Sequence, residues 1–160
     1  MSSASKHKWA IILLLATGIL VFGNSIRNPF VMDDHVVILK NPHIKSWSID
    51  KVFTEPFFPT PSWTQKHKAG RIDFRPITTL TFWLDYHIWH LNPVGYHLTN
   101  INLHLINGIL LYWIVWLVTR QPLVTFMATM LYLVHPMHPE SVAYIPSRGD
   151  LLAGTGTLFL

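Results

Sequence analysis

Asp33 and Asp34, followed at once by His35, place two carboxylates and an imidazole just past an apolar run from Trp9 to Ile26. Such a group can take a proton from a hydroxyl or hold a divalent cation. An Asp-Asp pair in a loop is more often a turn or a helix cap, but ionisable groups beside a membrane helix are costly to place there without a task. A second cluster, His135-Pro136-Met137-His138-Pro139-Glu140, brings two imidazoles and a carboxylate within six residues. His135, His138 and Glu140 are chemically adequate for a metal. The prolines keep a regular helix from aligning them and the spacing is not that of a zincin, so Glu140 as a second active-site carboxylate is the stronger option.

Arg75 stands directly before Pro76, where the free N–H groups of a helix start also favour anions, so a lipid-linked phosphate would fit there. Pairing of Arg75 with Asp73, with Asp85 or with lipid headgroups explains it equally well. Tyr96, His97, Asn100, His104 and Asn107 recur at steps of three and four and share one helix face. Hydrogen bonds between helices are the slightly better account of that stripe, and substrate contact through Tyr96, His97 and Asn100 the sharper one. Arg148 joins His35 among the further candidates for binding substrate; in Arg148-Gly149-Asp150 it also reads as a helix start, where Asp150 suits the dipole.

The elements that must position these residues are helices in a membrane. Half of the residues are hydrophobic, 12% are charged and 13% are aromatic, which describes a chain solvated by lipid. The run from 9 to 26 covers about 27 Å at helical rise, close to the hydrocarbon thickness. A signal peptide is the competing reading, but no clean small-residue cleavage site precedes Arg27. An outer loop, 27–93, follows, with turn-rich sequence at Asn41-Pro42, Pro56, Pro59 and Pro61. It contains a helix over 76–91 whose Ile77, Leu80, Leu84, Ile88 and Leu91 make an amphipathic face suited to the interface. A helix over 95–119, a short one over 122–134, an outer loop over 135–150 and an apolar run over 151–160 complete a single partial module with about four spans. The last run is still apolar at Leu160, which reads as a fragment.

Lys6 and Lys8 before the first helix and Arg120 between the second and third put the N-terminus in the cytoplasm. Both acid-bearing loops then meet the opposite aqueous face. The net charge of +4 is interleaved with acids rather than gathered in a basic tail, so no nucleic-acid partner is implied. There is no cysteine, hence no disulfide framework and no thiolate metal site.

Taken in order, Phe-Val-Met-Asp-Asp-His (30 to 35), Asn-Pro-His-Ile (41 to 44), Phe-Arg-Pro-Ile-Thr-Thr-Leu (74 to 80), Asn-Pro-Val-Gly-Tyr-His-Leu-Thr-Asn (92 to 100), His-Pro-Met-His-Pro-Glu (135 to 140) and Ser-Arg-Gly-Asp-Leu-Leu-Ala (147 to 153) resemble the N-terminal membrane module of TMTC-type O-mannosyltransferases and their prokaryotic relatives. The resemblance covers nearly the whole chain. It implies an all-α, multi-pass GT-C glycosyltransferase, with tetratricopeptide repeats downstream. The donor would be a polyprenyl- or dolichyl-phosphate sugar and the acceptor a protein hydroxyl. The membrane would be the bacterial inner membrane or the endoplasmic reticulum, according to source. By the same resemblance Asp33 and Asp34 form the acidic motif, with Asp33 the base and Asp34 its positioning or metal-facing partner, and Glu140 is the second acid. A small non-catalytic scaffold or transporter piece is the alternative of a different class.

Overall fold

A computed structural model describes residues 3–59 and 73–160; Pro61 of the turn-rich stretch lies outside them. Among the described residues every regular element is a helix, without a strand. The helices are α1 (Ser3–Phe22), prolonged by a 3-10 turn over Gly23–Arg27, then α2 (Pro42–Lys45), α3 (Asp50–Thr54), α4 (Pro76–Trp89), α5 (Pro93–Thr119), α6 (Pro122–Val134), α7 (His138–Val142) and α8 (Arg148–Phe159). A π-helical turn, His35–Leu39, precedes α2.

Prolines explain most of these starts. Pro42, Pro76, Pro122 and Pro139 each stand in the first turn of a helix, and Pro93 opens α5. There the missing N–H would have no intrahelical partner anyway and the fixed φ suits the helix. Asn41 caps α2 by accepting from the His43 N–H at 2.9 Å, and Asn92 accepts from Val94 N–H at 3.1 Å ahead of α5. Asn41-Pro42 and Asn92-Pro93 are thus helix-start signals, whereas Asn28-Pro29 stands in no helix.

Two helical segments are long and apolar enough to cross a membrane, Ser5–Arg27 and Pro93–Thr119. Their outward residues are apolar: Leu20 is 83% exposed and Val118 79%. Side chains of this kind, on helices that satisfy their own backbone, fit a lipid surround. The first helix begins at Ser3 rather than Trp9, because Lys6, His7 and Lys8 continue the helix beyond its apolar part. Of the four spans expected, these two have the length and composition for it. At 13 residues α6 is about 20 Å long, short of the roughly 20 residues a span needs. The stretch expected as a loop over 135–150 is also largely helical, since α7 and a 3-10 turn at Ile145–Ser147 lead straight into α8.

The chain divides into two compact units, Met1–Arg27 with His97–Leu160, and Asn28–Tyr96. The first holds a core of Leu14, Phe22, Ile101, Leu105, Tyr112, Leu133, Val142 and Leu151, with α1 packed along α6. In the second, α2 and α3 pack on α4, burying Ile44, Val52, Phe57 and Phe82. The apolar stripe expected on α4 is turned outward: Ile77, Leu84 and Ile88 are exposed, whereas Thr78, Thr79, Phe82 and Asp85 are buried. Leu91 falls beyond the helix end at Trp89. The corner that follows requires a glycine, because a Cβ on Gly95 would stand 2.1 Å from Cγ of the Trp89 indole.

Candidate functional site

The acidic motif lies on a tight turn that its own residues close. Asp34 N–H donates to Val31 O at 3.0 Å, and the Asp34 Oδ2 accepts from the Val31 N–H at 2.8 Å. Both Val36 and Val37 N–H groups donate to Asp33 O at 2.9 Å, which starts the π-helical turn. Met32, between Val31 and Asp33, has φ 48°, a left-handed conformation that a residue with a Cβ adopts at a cost of order 1–3 kcal/mol. The turn therefore combines local strain with a π-helical segment, and both features occur often at functional sites.

The two acids differ in setting. Asp33 and His35 are exposed, while Asp34 is 2% exposed and its Oδ1 has no hydrogen-bond partner among the described residues. Burial raises the Asp34 carboxyl from 3.8 to about 6; the Val31 N–H and His35 pull it down and the Asp33 charge adds to the rise. A carboxyl so poised is ionised near neutrality yet basic enough to accept a proton.

Arg75 is exposed at the start of α4. Its Nε donates to Asp73 Oδ1 at 3.0 Å, and its guanidinium lies 5.1 Å from the Phe57 ring centroid. The pairing with Asp73 matches one of the alternatives read from spacing. Both partners are exposed, so the pair is weak and exchangeable. Tyr96 is fully buried, donates to His90 O at 2.9 Å and packs edge-on against Phe30 with 5.4 Å between centroids.

The remaining candidates belong to the other unit. Along α5, His97, Asn100, His104 and Asn107 are all buried. Asn100 Nδ2 donates to Val142 O at 3.2 Å, His104 Nε2 bonds to Leu133 O at 3.2 Å, and Asn107 Nδ2 donates to Leu151 O at 2.9 Å while its Oδ1 accepts from Thr155. These three side chains tie α5 to the end of α6, to α7 and to α8, as interhelical hydrogen bonds do. Arg148 is 0% exposed and its Nε donates to Asn100 Oδ1 at 2.6 Å. The structure thus brings Arg148 and Asn100 together, in the interior of their unit. Spacing had named both but could not pair them, since 48 residues separate them.

His135, His138 and Glu140 do not assemble as metal ligands: among the described residues no group of three His, Asp or Glu side chains could hold a metal ion. The His138 ring instead sits 4.6 Å from Tyr132 and 4.8 Å from His104, and burial, with His135 nearby, pushes its imidazole below the usual range. Pro139 and the helical turn of α7 separate it from Glu140, which is exposed. One feature that sequence did not reveal is the aromatic group around His87, with Trp83 and Trp47 rings each 4.2 Å away and Trp83 Nε1 donating to Ser46 O. The steps from Trp83 to His87 are visible in the sequence, but the arrival of Trp47 is a tertiary event.

No family model and no solved structure matches the chain. Among characterised proteins it is 34% identical to protein O-mannosyl-transferase TMTC1 of Homo sapiens, over 90% of this chain and 16% of that protein. It is 32% identical to human protein O-mannosyl-transferase TMTC3, over 89% of this chain and 15% of that one. The Caenorhabditis elegans protein O-mannosyl-transferase F38B6.6 is 30% identical over 89% of this chain and 21% of its own length. The chain therefore spans about a fifth or less of the curated relatives it matches. Similarity that runs nearly end to end through this chain, joined to its all-helical fold and its two membrane-length helices, makes it a member of the TMTC-type protein O-mannosyltransferase family.

Proposed function

We propose that this chain is part of a glycosyltransferase that moves a sugar, mannose by the names of its relatives, from a polyprenyl- or dolichyl-phosphate donor to a protein hydroxyl at the outer or lumenal membrane face. The observation that carries the proposal is the similarity to O-mannosyl-transferases over about nine-tenths of the chain, with the acidic turn inside the matched length. The acceptor oxygen attacks the anomeric carbon as its proton passes to a carboxylate. The bond from that carbon to the phosphate oxygen breaks with its electron pair, and the lipid phosphate departs with inversion at the sugar.

The setting of the acids favours Asp34 over Asp33 as the proton acceptor. A base works best with its pKa near the working pH, and Asp34 at about 6 meets that condition; being 2% exposed, it meets the acceptor hydroxyl only when the turn opens. Asp33, exposed on the same turn, is then the partner that orients the acceptor or faces a divalent cation. Arg75, free to leave Asp73, is the cation for the departing phosphate, whose developing charge a guanidinium stabilises. Glu140 is the second carboxylate of the outer segments.

The test is sugar transfer by the full-length protein from a synthetic mannosyl-phosphoryl lipid to an acceptor peptide. Transfer from the lipid donor and none from a nucleotide sugar is expected, and Arg75→Lys should raise the donor KM while leaving expression unchanged. Transfer from the nucleotide sugar alone would overturn the donor assignment, and an unaltered donor KM would remove Arg75 from the site.

A further inference from the structure

Where α1 begins and α5 ends, a cavity of about 200 Å³ is lined by Lys6, His7, Ala10, Tyr112, Trp116 and Pro122. All six belong to one compact unit. The cavity is smaller than the roughly 300–1,000 Å³ of drug-sized sites, so it fits a compact headgroup. Its wall is built: His7 Nδ1 shares a 2.8 Å hydrogen bond with the Tyr112 hydroxyl, and the His7 ring meets Trp116 edge-on with 4.3 Å between centroids.

The charge around it is of one sign. Lys6, Lys8 and Arg120 are exposed at this end, and residues 1–32 and 93–134 contain no Asp or Glu at all. No acid therefore neighbours any of these three cations along the chain. Arg120 is held in place by a left-handed backbone, φ 54°, with its N–H donating to Trp116 O at 3.0 Å. The neighbouring Trp9, Trp113, Leu117 and Val118 are exposed. On α1 the order from the aliphatic Ile11, Ile12 and Leu13 through Trp9 to Lys8 and Lys6 is the profile of a helix end at headgroup depth.

We propose that this cavity binds the phosphate headgroup of an anionic phospholipid in the leaflet at the N-terminal end of α1. Lys6 meets the phosphate, the fixed Tyr112 and His7 groups meet its ester oxygens, and the acyl chains lie along the exposed apolar faces. With the N-terminus in the cytoplasm this is the leaflet in which anionic lipids collect. A free phosphate would satisfy the cations equally, but it would leave the adjoining aliphatic surface uncovered.

Native mass spectrometry of the full-length protein, released from bilayers of phosphatidylcholine with phosphatidylserine, tests the proposal. Phosphatidylserine should be retained and phosphatidylcholine lost. Lys6→Gln should weaken retention about five-fold, the effect of one basic residue at a membrane surface, Lys6→Arg should restore it, and Lys51→Gln should change nothing. Lys6 is exposed, so its replacement leaves the fold intact, which gel filtration verifies. Equal retention of the two lipids, indifference to Lys6→Gln, or displacement of the lipid by millimolar inorganic phosphate would each overturn it.

Discussion

At the scale of residues, the decisive contrast is between Asp33, exposed, and Asp34, buried on the same turn. The sequence shows two adjacent carboxylates and nothing to separate them; the resemblance alone favours Asp33 as the base. Burial separates them, because it depends on what the rest of the unit places over the turn. The consequence is measurable as stability. The folded Asp34 carboxyl titrates at about 6 and the unperturbed one at 3.8, so the folded state holds the proton more tightly between those values. Stability attributable to this group falls as pH rises from about 4 to about 6 and stays reduced above that. Asp34→Asn, which removes the charge and can keep the bond from the Val31 N–H, should therefore raise the thermal midpoint at pH 7.5 and leave it nearly unchanged at pH 4. A lower midpoint at pH 7.5 would mean that the ionised carboxylate stabilises the turn.

At the scale of elements, the helix positions were largely legible because proline marks their starts. The spacing-based bounds 76–91, 95–119 and 122–134 differ from α4, α5 and α6 by at most two residues at either end. The segment over 135–150 was not legible: Pro136, Pro139 and Pro146 suggest a loop, and Pro139 and Pro146 instead open short helical turns whose length carries no periodic signal. The polar stripe of α5 was visible as a face, but its partners are backbone carbonyls of Val142, Leu133 and Leu151, which have no sequence signature. The corner between α4 and α5 makes a direct test. Gly95→Ala drives a methyl into the Trp89 indole, and the loss should exceed the about 1–3 kcal/mol of ordinary overpacking. Adding Trp89→Ala should recover part of that loss in thermal unfolding; no recovery would place the strain elsewhere.

At the scale of the whole molecule, Lys6, Lys8 and Arg120 predict a cytoplasmic N-terminus with 27–93 on the opposite face; 135–150 reaches that face through a crossing by α6, whose 13 residues require a locally thinned bilayer. Single cysteines at Ser141 and at Ser62, the latter outside the described residues, should react with an impermeant thiol reagent only from that face. Protection of either in correctly oriented membranes would contradict the orientation. The pH profile of transfer in the full-length protein decides whether the acidic turn supplies the base for glycosyl transfer from a lipid phosphate. The rate should rise with pH through about 6 as Asp34 loses its proton. Asp34→Asn should lower the rate by about a hundred-fold to ten-thousand-fold, as loss of a general base does, and abolish that rise, with insertion unchanged. Full transfer by Asp34→Asn, with the wild-type pH profile intact, would contradict the claim.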